Sequence, residues 1–187
     1  MYKAVKTGAG VIPFALKNGT SCFLFHKTFS GRRAGLLVDF GGGSRAGESQ
    51  VQTAAREFVE ETEAMFFAGN NHADPESVSH SQYLIMQKLI EQTLQQWPDR
   101  FCNRTSEHEN RPRDWKTFFV EVAYRDLEDM NRAWAQDTGG RFKKRRELLW
   151  LPAKQLLEII DNRPELLWKR IRQYHGMREL VQVIASG

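Results

Sequence analysis

The sequence predicts an α+β protein, an α/β/α sandwich in which a mixed β-sheet carries helices packed on both faces. Strand patterns open the chain, a strongly amphipathic helix follows, and later strands and helices succeed one another without a regular β–α–β order. The chain has 187 residues, of which 41% are hydrophobic, including five Trp and twelve Phe. Because this composition suits one domain with a substantial core, we expect a single domain over residues 1–187.

The chain begins with the pattern of a β-hairpin. Residues 4–15 and 21–27 are rich in apolar residues, and the turn-forming segment Lys17–Thr20 lies between them. A third apolar run, Leu36–Val38, leads to three consecutive glycines, Gly41–Gly43. Because glycine favours backbone conformations that regular structure does not use, the sequence predicts a turn or loop at these glycines.

The clearest helical pattern covers residues 49–62, with Ser49 as the N-cap. Residues suited to burial recur at helical spacing and define one stripe: Val51, Ala54, Ala55, Phe58, Val59 and Thr62. Glu57, Glu60 and Glu61 group on a different face, because successive residues turn the helix by about 100°. The helix is therefore divided into a core side and a carboxylate side.

The second half of the chain alternates polar segments with helical and strand patterns. Residues 68–80 and 99–114 are polar and predict loops, and between them Tyr83–Trp97 predicts an amphipathic helix that stops at Pro98. The stretch 68–114 is longer than a simple connection, so we expect a helical insertion that forms a lid, a specificity wall or a dimer contact. The remaining predicted elements are strands at Trp115–Tyr124 and Leu148–Leu151 and helices at 153–161, 164–174 and 177–185.

The residues that carry chemistry are concentrated where the glycine run meets the carboxylate helix. Carboxylates at positions i, i+3 and i+4 destabilise a bare helix, so a cation should accompany them. Mg²⁺ and Mn²⁺ prefer oxygen ligands of this kind, although an arbitrary acidic helix face is usually only solvated. Arg56 is able to brace a carboxylate, either Glu48 or one of the helix glutamates, through a bidentate pair.

The complete segment resembles the Nudix box, G-x5-E-x7-R-E-U-x-E-E-x-G-U, in which U is a bulky apolar residue. The residues that match are Gly42, Glu48, Arg56, Glu57, Phe58, Glu60, Glu61 and Ala64. The sequence departs from the box at Glu63, where the family has glycine, and Ala64 is small for the last position. We expect Glu63 to alter the exit from the helix, since a left-handed backbone there costs about 1 kcal/mol. The resemblance implies the Nudix fold, with a helical insertion after the Nudix helix.

The resemblance also implies a reaction. Members of this family are metal-dependent hydrolases that cleave a phosphoanhydride (pyrophosphate) bond in a nucleoside diphosphate linked to another moiety X, with Mg²⁺ or Mn²⁺ as cofactor. The implied metal ligands are Glu57, Glu60, Glu61 and a backbone carbonyl of Gly41 or Gly42. Glu48 and Arg56 would be the supporting pair that fixes the catalytic helix against its loop.

The resemblance leaves the general base open. Within the box Glu57 is favoured. Glu147 is the alternative, because family members often supply an extra carboxylate just before the late strand, although an ordinary surface role fits it equally well. Glu121 is a weaker candidate, since its strand position favours solvent.

Basic residues near the box are candidates for contacts with substrate phosphates. Arg32 and Arg33 precede the glycine run, in which Gly42 and Gly43 would also contact substrate, and Lys143–Arg146 precedes the late strand. Most side chains of this kind are simply solvated, and the net charge of +4 agrees with an anionic partner without requiring one. No proline lies about 15 or 16 residues past the box, as in the ADP-ribose type, and no tyrosine lies where the dinucleoside polyphosphate type carries one, so the substrate stays open.

The expected partner is a small-molecule diphosphate, and a nucleic acid is expected only as a capped or terminal-phosphate substrate. A homodimer is left open. There is no run long enough to span a membrane and no signal-peptide pattern, and Cys22 and Cys102 have no redox or metal spacing, so we expect a cytoplasmic protein. Two alternatives stay in view: a ligand-sensing Nudix-fold module without turnover, and a hydrolase of a non-nucleotide diphosphate such as an inositol pyrophosphate.

Overall fold

The predicted mixed sheet is present in a computed structural model that describes residues 5–68, 75–104, 113–137 and 146–187. Within these residues the strands are β1 (Lys6–Lys17), β2 (Thr20–Thr28), β3 (Phe40–Gly43), β4 (Phe101–Asn103), β5 (Arg113–Glu121) and β6 (Arg146–Pro152). The helices are α1 (Gln50–Glu61), α2 (Pro75–Gln96), α3 (Glu128–Gln136), α4 (Ala153–Asn162) and α5 (Met177–Ser186). The sheet order is β4-β5-β1-β2-β6, with β3 also paired to β1; β1 and β5 are parallel and the other pairs are antiparallel.

The predicted hairpin is confirmed. Strands β1 and β2 pair in a register that places Lys17 opposite Thr20. Asn18 and Gly19 between them have φ angles of 51° and 77°. A two-residue type I′ turn needs positive φ at both central residues, and its twist matches that of the strands it joins.

Helices pack on both faces of the sheet, as the sequence predicts. On one face α1, α2 and α3 cover a core in which Phe58 meets Phe40 and Phe66 edge-on, with ring centroids 4.9 and 5.3 Å apart. On the other face α4 and α5 cover a second core through residues such as Leu156 and Val181. The carboxylate helix α1 is therefore held between the sheet and α2. Among the described residues, no helix combines the length and the apolar character needed to cross a membrane.

The glycine run differs from the prediction, because Gly41–Gly43 belong to strand β3 and not to a turn or loop. A side chain at Gly41 would lie 2.7 Å from the backbone oxygen of Ala9, and one at Gly10 would lie 2.6 Å from that of Phe40. The glycines therefore allow the backbones of β1 and β3 to approach closely, and glycine inside a strand often marks such a close approach.

Helix α2 begins at Pro75, inside the segment 68–80 that predicts a loop. Residues 69–74 and 105–112 of the predicted insertion lie outside the described residues. In the described part, α2 packs on α1 through buried residues that include Met86, and the Gln82 amide donates to the Ala64 carbonyl at 2.7 Å. Strand β4 and helix α3 are further elements that the sequence analysis does not predict.

The predicted helix at 164–174 is also wrong, since this segment forms two 3₁₀ turns, Pro164–Leu166 and Ile171–Gln173. Leu37 separates the two turns by pairing with the chain between them. Its amide donates to Leu166 and its carbonyl accepts from Trp168, both at 2.9 Å. These bonds hold the intervening backbone extended, so an α-helix cannot continue through it.

Candidate active site

The carboxylate helix α1 begins at a capping box, and the predicted N-cap is confirmed. The Ser49 hydroxyl accepts from the Gln52 amide at 3.2 Å, while the Gln52 side chain accepts from the Ser49 amide at 2.9 Å. Two of the free amides at the helix start are thereby satisfied. At the other end Glu63 and Ala64 have φ angles of 49° and 56°, so the altered helix exit expected from Glu63 is not seen and the chain leaves in a left-handed conformation.

Arg56 and Glu48 form the bidentate pair expected from the sequence. Arg56 is buried, and its Nε and Nη2 donate to the two carboxylate oxygens of Glu48 at 2.7 and 3.0 Å. The same Nη2 donates to the carbonyl of Gly43 at 3.0 Å. Hydrogen bonding from Arg56 lowers the pKa of Glu48 to about 2. Arg56 therefore joins α1 to the segment before the helix through Glu48 and to the end of β3 through Gly43.

Glu57 lies directly against the backbone of β3. A Cβ atom at Gly42 would stand 2.4 Å from the Glu57 carboxylate, so the absence of a side chain there creates its seat. Burial raises the pKa of Glu57, and the negative charge of Glu61 acts in the same direction. The hydrogen bond from Arg56 Nη1, at 2.7 Å, opposes this rise.

Glu60 and Glu61 differ in how firmly they are held. Glu60 is partly exposed and pairs with the exposed guanidinium of Arg45 at 2.8 Å. Glu61 is buried, with Oε2 accepting from the Gly41 amide at 2.9 Å and Oε1 lying 3.1 Å from Nη1 of Arg146. The two neighbouring carboxylates of the same helix turn thus face different surroundings.

The cations beside these carboxylates are guanidinium groups. Arg45, Arg56 and Arg146 each contact at least one glutamate of α1. Among the residues that the structure describes, no three His, Cys, Asp or Glu side chains are arranged as a metal-binding group. The sequence predicts a metal ion that offsets the repulsion among these carboxylates; in the structure arginine side chains offset it.

Several residues singled out from the sequence lie away from this cluster. Glu147 is exposed on the face of β6 opposite Arg146, because successive strand residues point to opposite faces. Arg32 is exposed, and Arg33 lies 6.0 Å from the Trp168 ring. Glu121 is exposed as well. Of the basic run 143–146, only Arg146 falls within the described residues.

A buried network beneath β3 was not predicted. Arg170 donates from Nε and Nη2 to Asp39 Oδ1 at 3.0 and 2.6 Å, and from Nη1 to the Gly41 carbonyl at 2.9 Å. The Tyr174 hydroxyl also donates to the Asp39 carboxylate, and burial raises the pKa of Tyr174 well above its ordinary value. Gly41, whose carbonyl was a predicted metal ligand, therefore links Glu61 through its amide to Arg170 through its carbonyl.

A cavity of about 440 Å³ opens beside the cluster, between α1 and α2. Its walls include Arg45, Arg56, His80 and Tyr83. Burial raises the pKa of Tyr83, and the charge of Glu60 contributes to this rise. A larger cleft of about 950 Å³ lies at the hairpin end of the sheet and contains none of the α1 carboxylates. Among the residues that the structure describes, Glu57, Glu60 and Glu61 line neither space, and the smaller cavity borders the cluster through Glu48 and Arg56.

Comparison with known proteins identifies the fold. No family model matches the sequence. A segment is 39% identical over 71 residues to an uncharacterized protein of Acanthamoeba polyphaga mimivirus, and the match covers 35% of this chain and 23% of that protein's length. The solved Ap4A hydrolase of C. elegans is 14% identical, with a TM-score of 0.52 over 98% of each chain. A NUDIX hydrolase from Alicyclobacillus acidocaldarius is 13% identical, with a TM-score of 0.51 over 100% of this chain and 94% of the other. The protein has the Nudix fold.

Proposed function

We propose that the protein is a metal-dependent Nudix-type hydrolase that cleaves a pyrophosphate bond in a nucleoside diphosphate linked to another moiety. One observation carries this proposal. Glu57 and Glu60 lie at the box spacing on α1 and both accept from Arg56, which is braced by Glu48 and lines a ligand-sized cavity. Carboxylates held by a buried guanidinium that itself lines a cavity are more than a solvated helix face requires.

The donor set suits a hard divalent ion. Glu57 and Glu60 offer carboxylate oxygens, which Mg²⁺ and Mn²⁺ prefer. The bare backbone of Gly42 leaves room for the Glu57 carboxylate. Because Arg45 and Glu60 are both partly exposed, their pair is weak and the guanidinium is free to give way. When bound, such an ion neutralises diphosphate oxygens and makes a water molecule more acidic.

The residues of the cluster would then divide the work. Glu57, whose pKa is raised by burial, would be the general base that accepts the proton of an attacking water. Arg56 positions Glu57 and Glu60 through its Nη1, and Glu48 fixes Arg56 in turn. Glu147 is not proposed as the base, because it lies on the opposite face of β6.

The cavity walls support a substrate that carries phosphate and an aromatic group. Arg45 offers positive charge and Tyr83 offers a ring, and both line the same space. Tyr83 belongs to α2, so the inserted helix would serve as a specificity wall. The C. elegans neighbour is an Ap4A hydrolase, which places dinucleoside polyphosphates among the compounds to be tried.

The test is a screen of nucleoside triphosphates, nucleotide sugars, dinucleotides, capped RNA and inositol pyrophosphates with Mg²⁺ or Mn²⁺. We expect product from at least one compound, and a loss of kcat of at least about 100-fold in Glu57→Gln and Glu60→Gln. The matched control is Glu158→Gln, which removes an exposed carboxylate from α4 and should leave kcat unchanged. Turnover that survives both α1 substitutions would exclude these carboxylates from the reaction.

The arginine pairing of the carboxylates favours one alternative, a ligand-binding module without turnover. In that case the guanidinium groups of Arg45, Arg56 and Arg146 would stay in place as permanent counterions. The same screen separates the two functions when it is read by calorimetry as well as by product. Binding of a compound without product under either metal would support the module.

A further inference from the structure

Arg146 is held more rigidly than a surface arginine. It begins strand β6 and is buried at 2% exposure, between β2 and the carboxylate helix. Its Nη1 lies 3.1 Å from Oε1 of Glu61 and 3.1 Å from Nε2 of His26. Its Nε has no hydrogen-bond partner among the described residues. The guanidinium is thus enclosed at one end of the cluster.

The contact with His26 defines the state of that ring. Arginine carries donors and no acceptor, so Nε2 of His26 must accept and the ring must be neutral, with its proton on Nδ1. His26 is fully buried, and its ring centroid lies 4.9 Å from that of Phe40. Burial lowers the pKa of His26 well below its ordinary value, and the charge of Arg146 acts in the same direction. His26 is a neutral support that directs Arg146 toward Glu61.

Both oxygens of Glu61 are therefore committed to the protein. Oε2 accepts from the Gly41 amide and Oε1 faces Arg146. Removing a buried partner costs far more than releasing an exposed one. Arg56 also holds Oε1 of Glu57 and Oε2 of Glu60, so the oxygens that a cation from solution can reach are Oε2 of Glu57 and Oε1 of Glu60, whose partner Arg45 is exposed.

The charges of the cluster give the same result. Glu48, Glu57, Glu60 and Glu61 face two buried guanidinium groups, those of Arg56 and Arg146. When the exposed Arg45 moves into solvent, two negative charges are left without partners. One divalent ion supplies that charge, and a second ion would leave the cluster positive.

We propose that Arg146 is a built-in cation that takes the place of a second metal ion at Glu61, so that the protein binds one divalent ion, at Glu57 and Glu60. This inference rests on the proposed function, because it assumes that the cluster binds a metal. It makes Arg146 a positioning residue, which acts on the site through Glu61.

The test is a Mn²⁺ titration of the metal-free full chain, with unbound Mn²⁺ measured by electron paramagnetic resonance. We expect one ion per chain in the natural protein. Arg146→Gln frees an oxygen of Glu61 and removes a positive charge, so we expect two ions per chain. Arg146→Lys keeps the charge and should return the number to one. Arg45→Gln is the matched control, because it removes an exposed guanidinium from the same cluster and should also bind one ion.

The outcomes separate the two proposals. Two or more ions in the natural protein, or one ion in Arg146→Gln with its fold intact by circular dichroism, would overturn the role of Arg146. No bound Mn²⁺ in the natural protein, together with no turnover in the screen, would instead overturn the metal-dependent function itself. The number for the natural protein needs no substitution, so the inference can fail even if Arg146→Gln does not fold.

Discussion

Single atoms decide where the carboxylates of the cluster can lie. Glu57 occupies the space that a side chain at position 42 would fill. Side chains alternate between the two faces of β6, and Arg146, not Glu147, is on the face toward Glu61. The sequence predicts the first pairings well, because Glu48, Arg56 and Glu57 are close along the chain. The sequence does not show which side chains of β6 face α1, because the start of β6 lies in a basic run without alternating apolar residues.

The seat of Glu57 leads to a prediction about neighbouring glycines. Gly42→Ala would place a Cβ atom 2.4 Å from the Glu57 carboxylate, so this side chain must move. We expect kcat to fall by about 10- to 100-fold, because displacing a reacting group by an ångström has that effect. The free energy of unfolding should fall by about 1–3 kcal/mol through overpacking. Both quantities are measured on the purified variant, with the best substrate of the screen.

The control for this substitution is the next glycine. A Cβ atom at Gly43 meets nothing within 4 Å. Gly43→Ala should therefore leave the Glu57 carboxylate in place, with a free energy of unfolding within about 0.5 kcal/mol of the natural value. If the two alanine variants behave alike, the close contact with Glu57 has no consequence and the seat is not specific.

The sequence predicts the helices and strands whose pattern lies within their own residues. It does not predict those that depend on contacts with residues far away in the chain. The stripe and the N-cap of α1 lie within one helix, so the sequence contains them. The turns at 164–174 depend on pairing with Leu37, which is far away in the chain. Strand β3 forms because it pairs closely with β1, which has glycines at positions 8 and 10. The sequence does not show this pairing, because a run of glycines indicates a turn as readily as a close approach of two strands.

The joint between α1 and β3 leads to a prediction about pH. Glu48 has a pKa of about 2 in the folded protein, against an ordinary value of 4.5, because Arg56 stabilises its charged form. The carboxylate therefore contributes its full stability above about pH 4.5, and this contribution is lost as the pH falls toward 2. We expect Glu48→Gln to be less stable than the natural protein by about 2 kcal/mol at pH 7.

The measurement is urea unfolding of both proteins between pH 7 and pH 3. The gap in free energy of unfolding should narrow below about pH 4.5, since the natural protein then loses the charge that the variant lacks. The same comparison with Glu158→Gln corrects for the general effect of removing a carboxylate. A gap that stays constant down to pH 3 would mean that the charge of Glu48 does not stabilise the joint.

Across the full length of the chain, the site depends on a contact between residues 131 positions apart. Arg170 ties the segment after α4 to Asp39 and to the carbonyl of Gly41, whose amide holds Glu61. No spacing in the sequence connects these residues, so the fold alone brings them together. The face of β3 that contacts Glu57 and Glu61 is thus supported from the opposite face of the sheet by the C-terminal part of the protein.

This buried pair should show strong coupling in a double-mutant cycle. Arg170→Met leaves the fully buried Asp39 without its cation, and Asp39→Asn leaves Arg170 without its anion. Each single substitution should cost about 3–5 kcal/mol, because each leaves a buried charge unpaired. The double variant removes both charges, so it should be more stable than the sum of the single losses implies, by about 1–3 kcal/mol.

The matched control is the exposed pair Arg178 and Asp161, 2.7 Å apart, in which the same cycle should show much weaker coupling. Free energies come from urea unfolding, and equal coupling in the two pairs would show that burial does not strengthen the link between Arg170 and Asp39.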